Sequence, residues 1–373
     1  MIRLKADLKH QSQDQALPIK IVHRQTVAAL PTRFHRNHQM QTRPLGNTDL
    51  NLSVIGLGTW AIGGGDWAFG WGDQDDDQAI AAIRKAVDVG INWIDTAAVY
   101  GMGKSETLVG KALSEIPQSD RPLIATKCGR TNAGNGQIGK SLQRESVIAE
   151  CEASLRRLQV DCIDLYQMHW PQPDEEIEEG WSTLVELKQQ GKVRHIGVSN
   201  HDVSQMQRLQ KIHPIASLQP PYSMIASEVE AEIIPFCGQH QIGVVCYSPM
   251  GKGLLTGSFD LNRARGLCEK DHRSRDPRFQ SPQLEINLEF VDGLQSVART
   301  LDWTVAELAI AWVLRRPEVT SAIVGARRPE QIEQTAVAGK RSMTEDVTDK
   351  VRQLLEQRSQ ALASLDGIEQ ARV

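Results

Sequence analysis

The sequence predicts an α/β protein built as a closed (β/α)8 barrel of the TIM type. Short β-like runs alternate strictly with helical patterns, which implies a parallel sheet, and eight such units follow one another with no break in composition. Acid-base side chains also stand at the ends of three consecutive runs, where a barrel places its chemistry.

The regular pattern begins at Met40. Residues 42–46 and 50–54 flank the turn Asn47-Thr48-Asp49 and read as an N-terminal β-hairpin. The eight barrel runs are then 55–60, 92–97, 122–129, 162–170, 193–200, 216–222, 242–250 and 321–325. Helical patterns start near Asp75, Ser105, Gln143, Ile177, Asp202, Glu228, Asn287 and Pro329, several with an Asp, Ser or Asn available as a cap. Extra C-terminal helices are expected at 304–315 and, as an amphipathic tail, at 344–363. The longest irregular stretch, 258–285, follows the seventh run, and loops of that length are usually lids or binding loops.

Residues 1–39 stand apart. They carry seven basic residues against two acidic ones, with many Gln and His and little periodicity. They read as a disordered extension or a start site placed too far upstream, with 40–373 a single barrel domain; a basic transit peptide is the alternative. At 373 residues and 41.4 kDa the chain can bury a large core. A net charge of -4 gives no sign of a nucleic-acid or anionic-membrane partner. No apolar run approaches the roughly 18 residues that span a bilayer, and no signal-peptide core is present, so a cytoplasmic protein is expected. Six cysteines without a Cys-x-x-Cys or clustered His indicate neither a metal site nor disulfides.

Two phosphate-binding motifs almost fit. Gly101-Met102-Gly103-Lys104-Ser105 has the tail of a P-loop, but Ala98 stands where the leading glycine belongs. Gly56-Leu57-Gly58-Thr59-Trp60-Ala61 matches a relaxed dinucleotide fingerprint, yet Gly63-Gly64-Gly65 forbids the helix that must receive the pyrophosphate. In a barrel, Asp95, Lys127 and His169 instead end the second, third and fourth strands, with Tyr100 five residues beyond Asp95. Each alone has a structural explanation; converging on one rim they make an acid-base centre. A Schiff-base barrel using Lys127 as nucleophile is a rival of another class.

The chain resembles the aldo-keto reductases from Met40 to about Ala338. The matching residues are Gly56 to Trp60, Asp95-Thr96-Ala97-Ala98-Val99-Tyr100-Gly101, Thr126-Lys127, Asp164 to His169, Gly197 to Asn200, Gln219, Tyr247 to Thr256 and Ile323 to Arg327. Tyr247-Ser248-Pro249 and Gly325-Ala326-Arg327-Arg328 look most like the bacterial general-stress and inositol-utilisation branch. The resemblance implies NADP(H)-dependent reduction of aldehydes or ketones by a monomer. Tyr100 is then the general acid, Lys127 lowers its pKa, Asp95 holds Lys127, and His169 orients the carbonyl. A member that binds NADP only to report redox state, with slow catalysis, is the alternative within the fold.

The cofactor set expected on this resemblance is Gly58, Thr59, Trp60, Asp95, Ser199, Asn200, Gln219, Tyr247, Ser248, Pro249, Met250, Lys252, Gly253, Leu254, Gly325, Arg327, Arg328, Gln331 and Gln334. Ser199, Asn200 and Gln219 offer the polar groups a carboxamide needs, and Tyr247 a ring face for the nicotinamide. Arg327 and Arg328 beside a helix N-terminus suit a 2'-phosphate, which points to NADPH. Thr335 departs from the family, where many relatives have Asn. Trp60, Trp67, Tyr100, Met102, His169 and Trp170 are the expected substrate pocket, and no metal is required.

Overall fold

The computed structural model describes residues 40–370, so the expectations for residues 1–39 lie outside it. Strands β1 (Thr42–Pro44) and β2 (Asn51–Ser53) form the expected antiparallel hairpin. The barrel strands are β3 (Ile55–Gly58), β4 (Trp93–Asp95), β5 (Leu123–Cys128), β8 (Ile163–Met168), β9 (Val193–Ser199), β10 (Ser217–Gln219), β11 (Gly243–Tyr247) and β12 (Val319–Gly325). They close in that order, all parallel, with β12 pairing back onto β3. Each coincides with one of the eight predicted runs.

The differences have local causes. The sixth strand stops at Gln219 because Pro220 and Pro221 have no N–H to give a ladder. The seventh stops at Tyr247 because Ser248 turns into the left-handed region, φ 57°. A second hairpin, β6 (Thr131–Gly134) and β7 (Gln137–Gly139), was not anticipated. Its two-residue turn is Asn135-Gly136, both with positive φ, the pairing that a tight hairpin turn demands.

The helices around the barrel are α1 (Asp76–Asp88), α2 (Lys104–Ser114), α3 (Arg144–Leu158), α4 (Ile177–Gln189), α5 (Val203–Gln210) and α6 (Ile233–Gln239), then the short α7 (Leu261–Arg265). They continue with α8 (Gln283–Thr300), α9 (Val305–Leu314), α10 (Pro329–Ala336) and α11 (Glu345–Gln370). Asp75 caps α1 by accepting from Gln78 N, and Asp202 and Thr304 build capping boxes on α5 and α9. Only a 3-10 turn forms at Glu228, and α6 starts at Ile233. Helix α8 begins four residues before Asn287, which is buried in its second turn and bonds Arg358.

The core has two layers. Outward-facing residues such as Ile94, Tyr166, Met168, Val198 and Leu218 pack against Ile83, Val109, Trp181 and Leu184 of the helices. Inside, Leu45, Leu50 and Leu52 of the hairpin region plug the barrel floor against Trp93, Leu165, Val245 and Ile323. Arg43 fastens that plug by donating to the carbonyls of Leu314 and Val319. With the lower end sealed by apolar side chains, polar residues on the strands can only open at the opposite rim.

Candidate active site

At that rim the four predicted residues do converge. Lys127 Nζ lies 2.8 Å from both carboxylate oxygens of Asp95, 2.8 Å from the Thr96 carbonyl and 3.4 Å from Tyr100 Oη. The Tyr100 and His169 rings meet edge to face with centroids 5.7 Å apart. Asp95, Tyr100 and Lys127 are all buried. Gln219 donates to Asp95 Oδ1 at 2.8 Å, so the carboxylate is held from two sides.

Burial dominates the electrostatics. It pushes the Tyr100 phenol well above its ordinary range, reinforced by Asp95 and Tyr247. This reverses the expected lowering by Lys127. The Lys127 ammonium is itself pulled down by burial, against the opposing pull of Asp95. Burial, then the positive charges of Lys127 and Arg130, drives His169 well below its usual value. The site therefore holds a neutral phenol and a neutral imidazole.

The predicted cofactor residues split by what they already hold. Asn200, in the left-handed region at φ 62°, donates to the His169 carbonyl and Ser199 Oγ and accepts from Tyr247 Oη at 2.9 Å. Ser199 donates to the Gln219 carbonyl. Thr59 is spent on structure, donating to the Asp95 carbonyl and accepting from Ser105, and Gly58 leaves no room for a side chain against Ile323. Beyond β11, Ser248, Gly251, Lys252 and Gly253 all take positive φ around Pro249 and Met250. Lys252 pairs with Asp276 at 3.0 Å, while the Leu254 side chain is buried with Phe259 and Phe279.

At the end of β12, Gly325 is exposed, and Gln331 accepts from the N–H groups of Arg327 and Arg328. The Arg327 guanidinium donates to the Trp71 and Asp73 carbonyls and to Gln74 Oε1. Arg328 and Gln334 are exposed. Thr335 is buried and bonds back to the Gln331 carbonyl, so it faces its own helix.

Trp60, Trp67, Tyr100 and Met102 gather in one apolar cluster with Ala97, Val99 and Ile138. Trp170 stands outside it, 37% exposed, with the Arg130 guanidinium 5.7 Å from its ring centroid. Ile138 went unforeseen because the β6–β7 hairpin did, although Asn135-Gly136 was the available signal. The long segment after β11 supplies more. His272 stacks on Trp60 at 4.8 Å and takes a backbone bond to Gly70, and Arg273 pairs with Asp271 under Trp71. That segment packs on the glycine-rich loop through His272 N to the Gly70 carbonyl and Arg275 to the Ala68 carbonyl. Among the described residues no cluster of His, Cys, Asp or Glu could hold a metal, and no helix is long and apolar enough to cross a membrane.

A model of the aldo/keto reductase family matches residues 54–356. The aldo-keto reductase YhdN of Bacillus subtilis is 38% identical over 295 residues, covering 79% of this chain and 87% of its own length. The NADH-specific methylglyoxal reductase of Escherichia coli is 34% identical over 311 residues, 80% of this chain and 93% of its own. Among solved structures, a glycerol dehydrogenase of Gluconobacter oxydans superimposes with a TM-score of 0.77 at 37% identity, over 85% of this chain and 95% of its own. An aldo-keto reductase of Bacillus halodurans in its holo form gives 0.69 at 27% identity, over 85% and 96%.

Proposed function

The chain belongs to the aldo/keto reductase family and is an oxidoreductase, and on that premise we propose that it reduces aldehydes or ketones with NADPH, Tyr100 acting as the general acid. The observation that carries the reading is the buried set in which Lys127 touches both Asp95 and Tyr100 beside His169.

The donor set suits a phosphorylated pyridine dinucleotide. Asn200, Ser199 and Gln219 supply amide and hydroxyl groups beside the Tyr247 ring, Lys252 supplies a cation on a loop whose positive φ lets backbone approach closely, and Arg327 and Arg328 supply cations at the start of α10. When bound there, the cofactor supplies hydride. The chain's own work is proton management. A raised phenol pKa keeps Tyr100 protonated at neutral pH, so Oη can give a proton to the nascent alkoxide. Lys127 steadies the phenolate left behind, and its ammonium is fixed by Asp95 rather than free to swing. His169, neutral, donates a hydrogen bond to the carbonyl oxygen and sets its direction. The Trp60, Trp67 and Met102 wall favours an apolar carbonyl substrate and keeps water from the reacting centre.

For NADPH over NADH the support is Arg327 with Arg328 at the start of α10. The Escherichia coli relative is named NADH-specific, so the choice is open to direct test. NADPH is expected to give the higher kcat/KM in carbonyl reduction. Arg327→Ala should cut that preference about 10- to 100-fold, the worth of one charge-assisted bond. Equal rates with both cofactors in the parent protein would remove the NADPH assignment and leave the reductase reading standing. Slow oxidation of bound NADPH whatever carbonyl is offered would favour the redox-reporting alternative.

A further inference from the structure

The barrel interior holds a polar group that the mechanism above does not use. Gln167 is fully buried on the inner face of β8, and neither its Oε1 nor its Nε2 has a protein partner. The same is true of Ser217 Oγ on β10 and of His169 Nδ1, two residues above Gln167 on the same face. Buried amides and hydroxyls are almost always hydrogen-bonded, and those without protein partners are satisfied by ordered internal water.

Strand register puts Gln167 and Ser217 at one level on either side of Gly197. Lys127 pairs with Gln167, Gln167 pairs with Gly197, and Ser217 stands beside Gly197, each one residue before the Leu218–Val198 pair. Gly197 is what makes room: a Cβ there would sit 2.2 Å from Ser217 Oγ and 3.4 Å from Gln167 Cγ. The row Lys127, Gln167, Gly197, Ser217 thus brings two unpartnered polar side chains together directly below the catalytic rim, with Ser217 Oγ lying over Gly197. Same-face residues on a strand are about 6.6 Å apart, a span that one amide side chain and a water bridge.

Resting on the reading of His169 as the carbonyl's partner, we propose that Gln167 and Ser217 anchor internal water behind His169, and that this water donates to Nδ1 and fixes the proton on Nε2. Gln167 is then a positioning residue. A neutral imidazole carries one N–H and one acceptor, and the hydrogen bond made by one nitrogen decides which form the ring takes. Only the form with its proton on Nε2 can donate to a carbonyl oxygen while Nδ1 accepts from below. His169 is neutral in this site, so the tautomer is the variable that matters.

The test is long-range 1H–15N correlation of the imidazoles in 15N-histidine-labelled full-length protein, with His169 assigned by its loss in His169→Asn. The wild type should show His169 protonated on Nε2. In Gln167→Met, near-isosteric and unable to hydrogen-bond, the His169 shifts should move toward a tautomer mixture, with kcat down about 2- to 10-fold and KM for NADPH unchanged. If Gln167→Met does not fold, Ser217→Ala carries the same spectral comparison. A wild-type His169 protonated on Nδ1, or a pattern identical in the wild type and a folded variant, overturns the proposal. The spectrum does not depend on turnover, so a wild type that reduces no carbonyl would sink the reductase reading separately.

Discussion

Lys127 ties the site together at the level of single residues. Its ammonium is buried and its donors are directed to Asp95, the Thr96 carbonyl and Tyr100. Lys127→Met should therefore do two things at once. Carbonyl reduction should fall on the order of 10²- to 10⁴-fold, since the developing phenolate loses its counter-charge. Stability should fall by about 3–5 kcal/mol, because Asp95 remains buried with only Gln219 for a partner; urea denaturation monitored by tryptophan fluorescence measures it. Asp95, Lys127 and His169 were legible because they stand at the ends of three consecutive runs, and Tyr100 because it follows Asp95 on the next loop. The sign of the Tyr100 shift was not, since it depends on burial by Trp60 and Trp67, whose approach is set by loops rather than by local sequence. Nor was the use already made of Arg327, whose partners lie on a loop some 250 positions earlier in the chain.

Individual elements show how the barrel fixes its geometry by close packing as much as by pairing. Gly56 in β3 faces the Trp93 indole, and a Cβ built on it would lie 2.1 Å from the ring. Gly56→Ala should destabilise the protein by about 1–3 kcal/mol, read as a shift in denaturation midpoint with unchanged slope. All eight strands were readable from alternation. Their ends were not: Pro220-Pro221, which stops β10, lies inside the run 216–222. The β6–β7 hairpin is polar and glycine-rich, so it lacks the periodicity that reveals strands, and only its turn residues announced it.

For the molecule as a whole, one half-buried carboxyl outside the site couples stability to pH. Glu150 on α3 accepts from Gly129 N and Ser146 Oγ, and burial raises its pKa from 4.5 to about 7. The folded state then holds a proton that the unfolded chain has released, so stability falls as pH rises from about 4.5 to 7 and stays low above. The contribution is on the order of 3 kcal/mol. Denaturation midpoints should drop between about pH 4.5 and pH 7 in the wild type, and by less in Glu150→Gln. The Tyr100 shift is upward from an already high phenol value and leaves it protonated across that range, so the general acid does not titrate there.

The central claim is that Tyr100 delivers the proton. Its most direct test is the single-turnover rate of NADPH oxidation in Tyr100→Phe against the wild type, with an apolar aldehyde and with NADPH binding followed by quenching of tryptophan fluorescence. The account predicts unchanged NADPH binding and a rate lower on the order of 10²- to 10⁴-fold. A variant that binds NADPH equally well and transfers hydride at the wild-type rate would contradict it.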